Sequence, residues 1–577
     1  MTTNYSVENT LSYDLPIFSG HKISVLVGQS FQSTGWSEKI EGSNKVADGE
    51  QIAALKSFKT AYLSNIKLNA ATDATLGGGV NQDEEYLASY FGRINWDYNE
   101  KYMATLIMRT DGSSMFGDGY RWGSFPSVSA GWVVSNEDFM KGTSSWMDFF
   151  KIRASWGQNG NNYIDPLRRY FYLAKIETSS NSGYKFSSDM ATTTSGTPNV
   201  GAYAPQKTKL DTEWETSEQL DLGFDARFLG SRLGLNFDWY KKTTKNWLIA
   251  QEREAHWGAD SPFINGGDVE NTGVEVALSW NDKIGSDFNY NVGVNVAYNK
   301  NKVTRIDNLK KYITPTNDVS LSQGTENFVR AEEGHPIGYF FGMSYSGIWQ
   351  NQAQIDAANA ASIAAHPELG ADFAGTWAEA VPGDCIWDDW NGDGKITYAL
   401  GQNCDRHEIG KPNPDITLGV NLGFTWKGLD FAVNGTGAFG MQIMRSYRSF
   451  GDSWQHNYDT TILNRWHGEG TSNDQPRISA TGHTNTLWIS NRYMEDADYF
   501  KIKTVTLGYD FKKIWKTCPL QQLRFYVQAQ NLYTFTKYTG LDPEVGNAGG
   551  ADSWVSGVDL GLYPSARTFT VGASIKF

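Results

Sequence analysis

The sequence predicts an all-β protein, a transmembrane antiparallel β-barrel whose long loops all lie on one side. Three observations carry that prediction. The last nine residues alternate without a break, with Phe569, Val571, Ala573, Ile575 and Phe577 on one face and Thr570, Gly572, Ser574 and Lys576 on the other. Mean hydropathy is only -0.47, yet 14% of the 577 residues are aromatic and 59 are glycine. Short turns and long polar loops also alternate in strict parity along the chain. A strand that meets lipid on one face and a wet lumen on the other needs such alternation, and a closed sheet satisfies its backbone. No run approaches the roughly 18 apolar residues of a membrane helix.

About 17 strands are expected. They begin near Asn4, Gly20, Glu85, Lys101, Gly123, Phe149, Glu213, Ser231, Asn271, Asp287, Leu321, Ile337, Asp415, Leu429, Asp498, Leu523 and Arg567. Two hairpins show the rule most plainly. In the first, Leu220, Leu222, Phe224, Ala226 and Phe228 oppose Asp221, Gly223, Asp225 and Arg227. After Leu229-Gly230-Ser231 the pattern restarts with Leu233, Leu235, Phe237 and Trp239. In the second, Ile416, Leu418, Val420, Leu422, Phe424 and Trp426 lead through Lys427-Gly428 into Leu429, Phe431 and Val433. Asp221, Asp225 and Arg227 would be costly in lipid and comfortable in a lumen. The long Asn/Asp/Gly/Ser-rich stretches 35–83, 159–212, 351–413, 446–498 and 535–566 fall on one side, extracellular if periplasmic turns are the short ones. Phe577 then ends at the periplasm.

The net charge of -14 argues against nucleic acid as a partner, because phosphate binding calls for a basic surface. Of three cysteines, Cys385 and Cys404 bracket one loop and Cys518 stands apart. In an exported protein the pair is either a disulfide or two free thiols. MTTNYSVENT has no basic start followed by an apolar core, so no secretory signal is read there. The chain is therefore expected to be one portion of a longer product.

Residues 389–396, DWNGDGKI, match the first half of a calcium loop, in which alternate side-chain oxygens converge and glycine permits the sharp turn. Asp389, Asn391 and Asp393 would supply side-chain oxygens and Lys395 its carbonyl. Position twelve is Leu400 where a carboxylate is needed, leaving Asp405 to replace it after a short insertion. The expected cofactor is a structural Ca²⁺ that stiffens the loop. An Asx-rich turn without metal is the alternative.

Trp349, Trp377, Trp387, Trp390, Trp454, Trp466 and Trp488 lie in or beside these loops, where their faces could meet a ligand or pack the loops. Arg445, Arg448 and Arg465 could reach an acidic ligand or form loop ion pairs. Substrate-binding residues are not identified. Nothing supports an enzyme: the eight histidines show no HExxH spacing, no nucleophile elbow is present, and Gly77-Gly78-Gly79 lacks the following Lys-Ser/Thr of a phosphate loop.

Several long segments, in order, resemble one family. They are 89–117 (SYFGRINWDYNEKYMATLIMRTDGSSMFG), 121–132 (RWGSFPSVSAGW), 333–350 (EGHPIGYFFGMSYSGIWQ), 496–511 (DADYFKIKTVTLGYDF), 523–545 (LRFYVQAQNLYTFTKYTGLDPEV) and 563–577 (YPSARTFTVGASIKF). They are similar to the SusC/RagA-type TonB-dependent transporters of the Bacteroidetes outer membrane. The resemblance implies a 22-stranded barrel with an N-terminal plug, TonB as energy source, and a SusD-type surface lipoprotein as lid. It implies import of oligosaccharides or peptides. The chain reads as the C-terminal barrel portion of such a protein, without plug or TonB box. Its first strand would be number six, and the portion alone would not transport. In the family a similar DxNGDG segment occurs in an extracellular loop, often followed by an acidic residue. A siderophore-type TonB-dependent receptor or adhesin, and a lectin-like soluble β-protein, are the alternatives.

Overall fold

The computed structural model describes residues 2–37, 39–45, 73–79, 82–163, 207–251, 261–315, 328–400, 403–445, 460–479, 483–544 and 554–577, with the short pieces 170, 172–173, 177–179, 201–204, 258–259, 319–321 and 324–326. Fifteen strands form one sheet in which spatial order follows chain order. They are β1 (Thr2–Phe18), β2 (His21–Ser37), β3 (Gln82–Tyr98), β4 (Tyr102–Ser113), β5 (Trp122–Val133), β6 (Met147–Asn161), β7 (Glu215–Phe228), β8 (Leu233–Ala250), β9 (Phe263–Ile284), β10 (Phe288–Ile306), β11 (Ile416–Trp426), β12 (Leu429–Phe439), β13 (Tyr499–Asp510), β14 (Gln522–Thr536) and β15 (Thr568–Lys576). Among the described residues the strand order ends on β1 and β15.

Among the described residues this corrects the strand count of the sheet from about 17 to fifteen. The segments expected near Leu321 and Ile337 lie in the loop after β10, where Val319–Leu321 with Gly324–Glu326, and Val329–Glu332 with Tyr339–Gly342, form small sheets of their own. Their apolar residues mark burial inside that loop: Phe328, Val329 and Phe340 are fully buried. Parity survives because the two surplus segments are a consecutive pair. The tight turns are those the sequence specifies. Lys427 and Gly428 both hold positive φ, +48° and +97°, and Asn99 and Glu100 hold +50° and +56°, the backbone hand that joins twisted strands without splaying them.

The chain divides into two compact units. The first comprises Met1–Glu137, Lys151–Leu222 and Lys242–Asp268. Its core gathers Met115, Phe116, Phe125 and Trp214. The Trp214 indole N–H donates to the Arg121 carbonyl at 2.9 Å, and its ring lies 5.4 Å from Phe116. At the short-turn end, the Glu137 carboxylate accepts from Tyr102 (2.6 Å), Lys101 (3.0 Å) and Trp132 (3.2 Å). Those bonds hold its pKa down at about 2.

The second unit comprises Asp138–Phe150, Gly223–Lys241 and Val269–Phe577. Register here turns alternation into surfaces. Tyr290, Phe424, Phe431, Leu507, Val527 and Val571 stand opposite one another across six strands, and so do Val292, Leu422, Val433, Val505, Ala529 and Phe569. Among the described residues no layer covers these rows: Leu422 is 41% exposed and Val571 81%. The reverse face carries Asn291, Gly423, Ala432, Thr506, Gln528 and Thr570 in the matching row. A continuous uncovered apolar band backed by a small and polar face is the surface of a membrane-spanning sheet, not of a soluble sandwich.

Candidate functional site in the long loops

Within the second unit, the loops that follow β10, β12 and β14 fold into an ordered assembly. Strand pieces from two of them meet, for Gln442–Arg445 pairs with Met494–Asp496 of its own loop and, in parallel, with Val558–Asp559 of the loop after β14, while the loop after β10 joins through the bridge of Met343 to Ser490. Phe328, Val329, Phe340, Met444, Ile489, Tyr493, Val555 and Val558 form the core beneath. Residues 351–413, expected as loop, begin with helix α1 (Gln352–Ala365). The Asn351 side chain caps it by accepting from Gln354 N at 2.9 Å, and Pro367 follows its end. The Asn cap and the alanine run Ala357-Ala358-Asn359-Ala360-Ala361 were the available signals, outweighed by the Asx-rich composition around them.

Most of the loop tryptophans pack the assembly and do not await a ligand. Trp349 and Trp387 are buried. Trp377 meets Trp349 edge-on at 5.7 Å, Trp387 lies 5.1 Å from Trp488, and Trp488 stacks on Tyr398 at 5.0 Å. Trp466 joins the same cluster. Trp390 alone among those described is largely exposed, 61%, with its ring stacked on His407. Arg445 is buried against Glu495 at 2.7 Å, and Arg465 donates to the Ile462 carbonyl at 3.2 Å. Both therefore serve the loop fold. Trp454 and Arg448 lie outside the described residues.

The acidic turn is drawn together by its own backbone. Asp389 accepts from the N–H groups of Gly392 (2.9 Å), Asp393 (3.1 Å) and Gly394 (2.8 Å). Asn391 Oδ1 accepts from Asp393 N at 2.9 Å, and Asp393 from Lys395 N at 3.0 Å. Gly392 and Gly394, at φ +70° and +81°, allow the reversal. Asp405, fully buried, reaches back to accept from Asn391 N at 3.3 Å and Thr397 N at 2.6 Å. Burial, with the Asp389 charge adding to it, raises the Asp405 carboxyl above its ordinary pKa. Asp389, Asn391, Asp393 and Asp405 thus share one hydrogen-bonded turn, which Lys395 joins through its N–H. Among the described residues no three His, Cys, Asp or Glu side chains already stand at metal-holding distances.

All three cysteines are free thiols. Cys385 is buried, which pushes its pKa up to about 12, while Cys404 is partly exposed. The covalent closure of this loop is therefore not the alternative realised.

An open cleft of about 530 Å³ lies on the polar side of the sheet, walled by Asn295, Thr417, Thr436, Tyr499 and the segment Pro543-Glu544. That wall is set by a lysine the sequence pattern misplaces. Along Lys501, Lys503, Val505 and Leu507 simple alternation puts both lysines in lipid. A bulge at Lys503 resets the phase, so that Thr436 faces Lys501 and Asn434 faces Thr504 on one side. The Lys501 ammonium, 3% exposed, then meets Glu544 at 2.7 Å and Asp542 at 3.1 Å. Lys503 adds a bond to Glu544 at 2.5 Å, and the Tyr499 hydroxyl another at 3.1 Å. Burial would raise both carboxyls. For Glu544 the two lysines outweigh it, and for Asp542 the N–H groups of Ser565 and Glu544 with Lys501 do, so both sit below the ordinary range. Two lysines in a strand otherwise reading as lipid-facing were the sequence signal for this site.

A family model described as TonB dependent receptor-like, beta-barrel, matches residues 3–532. The chain belongs to that family. It is 31% identical to TonB-dependent receptor P3 of Formosa agariphila over 100% of this chain and 52% of that one. It is 26% identical to TonB-dependent receptor SusC of Bacteroides thetaiotaomicron over 85% of this chain and 44% of that one. A solved structure of the RagAB peptide transporter matches its fold with a TM-score of 0.71 at 22% identity, covering 100% of this chain and 55% of that chain. The chain thus spans about half the length of the curated relatives it matches. As a TonB-dependent receptor barrel it is an outer-membrane protein, which agrees with the uncovered apolar rows.

Proposed function

We propose that the protein imports oligosaccharides or peptides across the outer membrane, drawing energy through TonB and working with a SusD-like surface lipoprotein. The observation that carries this reading is the ordered three-loop assembly standing on a membrane sheet, in a chain similar along its whole length to TonB-dependent receptors. Loops of such length, packed around their own cores, are built to present a surface, and connections alone would be shorter. The cleft on the polar face gives a ligand an amide, two threonine hydroxyls and a tyrosine, with Glu544 already neutralised by lysines. That favours an uncharged, hydrogen-bonding ligand. The barrel wall, the gripping loops and the closing strand are this chain's contribution.

The test is uptake by intact cells of fluorescent oligosaccharide and peptide pools, with and without the gene and with the proton gradient collapsed. Gene- and gradient-dependent uptake, with a lipoprotein co-purifying at fixed stoichiometry, is expected. Gradient-dependent uptake of ferric chelates alone would replace this reading with a siderophore receptor, and adhesion without uptake with an adhesin.

We propose in addition that the cluster of Asp389, Asn391, Asp393, Lys395 and Asp405 takes a structural Ca²⁺. Carboxylate, amide and carbonyl oxygens are the donors that this cation prefers, and the buried Asp405 carboxylate is already bonded onto the turn. Binding would draw these oxygens inward and relieve the repulsion between Asp389 and Asp405.

A further inference from the structure

The outward face of β10 reads as a depth gauge. Its even-numbered residues run Phe288, Tyr290, Val292, Val294, Val296 and Tyr298, aromatic at both ends and aliphatic between. Pairing with β11 fixes that face, since Tyr290 opposes Phe424 and Tyr298 opposes Ile416. From Phe288 to Tyr298 is about 34 Å along a strand, or about 26 Å along the membrane normal at a tilt near 40°. That is the height of the apolar band of an outer-membrane barrel, about 25 Å. Tyr298 therefore marks its upper rim, on the side of the long loops.

The same face continues past the rim with Lys300 and Lys302, both exposed, about 7 and about 14 Å further along the strand. Their alternates Asn299 and Asn301 point the other way, each donating to Asn271 Oδ1, at 3.3 and 2.9 Å. Among the described residues neither lysine carries an ion pair or hydrogen bond. Of the acidic residues at this end of the same face of the adjoining strand, Glu270 is engaged by Lys241 at 2.9 Å and Asp268 accepts from Asn246 N at 3.0 Å. Two unneutralised ammonium groups thus stand just above the hydrocarbon rim, at headgroup depth.

We propose that Lys300 and Lys302 form a binding site for the phosphate of a phosphorylated outer-leaflet lipid, with Tyr298 and Val296 against its acyl chains. The proposal rests on the membrane reading of the sheet and is independent of what is imported. Lysine is a compact, strongly hydrated cation with three donors, suited to a phosphate held at an interface.

The test uses the complete protein in phosphatidylcholine nanodiscs, with diphosphorylated lipid A or lipid A stripped of its phosphates as probe, bound lipid being counted by native mass spectrometry. The phosphorylated form is expected to bind and the stripped form to lose about 30-fold in affinity, from about 5-fold per lysine. K300Q/K302Q should lose the same factor toward the phosphorylated form and none toward the stripped form. K300R/K302R keeps the charge and should retain binding. Equal affinity for the two lipids, or full affinity in K300Q/K302Q, overturns the proposal. Displacement of the lipid by millimolar inorganic phosphate also overturns it, since the site would then read free phosphate. The wild-type comparison of the two lipids needs no variant, and heat-modifiable gel mobility checks that each variant is folded.

Discussion

Replacing Lys501 by Met keeps the aliphatic stem and removes the charge that pins the strap Tyr538–Glu544 to the polar face of β13. Deleting one partner of a buried ion pair costs about 3–5 kcal/mol. The lower end applies here, for two reasons. Lys503 stays on Glu544 at 2.5 Å, and Asp542 keeps the N–H groups of Glu544 (3.1 Å) and Ser565 (3.0 Å). About 3 kcal/mol is roughly a 150-fold rise in the equilibrium constant for local opening. The strap would not leave entirely, because Tyr538 donates to Asp559 at 2.5 Å and Thr539 to Glu495 at 2.7 Å. Hydrogen exchange followed by mass spectrometry should therefore show a loss of protection near 100-fold across 538–544, with the β11–β12 hairpin unchanged. Acid gives a second handle. Both carboxyls are lowered in the folded protein, so their stabilisation is complete above the ordinary carboxylate range and fades as pH falls through the lowered values. The wild-type strap should loosen only in that acidic window, and Lys501→Met should flatten the dependence. Wild-type protection of 538–544 in Lys501→Met at neutral pH would refute the argument, because the buried charge pair would then hold nothing.

Three further outcomes are expected. Val571→Lys, on the uncovered row, should lower folded-barrel stability in lipid by about 2–4 kcal/mol while Thr570→Lys on the polar face stays near neutral; heat-modifiable mobility in liposomes reads both, and equal effects would deny that the two faces meet different solvents. Maleimide at pH 8 should label Cys404 first, because a thiol with a pKa near 12 leaves Cys385 only about one part in 10⁴ thiolate; comparable rates would contradict the burial. Calorimetric Ca²⁺ binding should disappear in Asp393→Ala and weaken about tenfold or more in Asp405→Asn. Because the Asp405 pKa is raised, protons should compete and affinity should fall as pH drops towards it; pH-independent heats, or none in the wild type, would remove the metal reading.

How far the fold is legible in the sequence depends on how local each signal is. The hairpins around Leu229-Gly230-Ser231 and Lys427-Gly428 are written in adjacent residues, since side-chain period and turn chemistry both act over a few positions. The lipid-facing rows follow from the same period. By contrast, the apolar stretches around Phe328-Val329 and Phe340-Phe341 read as strands as readily as the membrane segments do, and only their partners reveal a loop core. The Asp389 turn was legible as a cluster because its ligands lie within a few residues. Whether Cys385 met Cys404 was not, because spacing does not fix the direction of two side chains. The tryptophans look like a ligand-stacking set in one dimension and prove to be each other's neighbours in three.

The sequence by itself determined an antiparallel membrane sheet, the order of its strands and the side on which its long loops gather, because these depend on alternation and on turn residues in direct succession. Tertiary structure alone decided which strands enter that sheet, what the loop aromatics touch and where Lys501 points. A bulge inserts one residue and exchanges the faces of everything beyond it. Here it brings Lys501 to a carboxylate pair distant in sequence, Asp542 and Glu544, whose attraction for a buried ammonium no local pattern records.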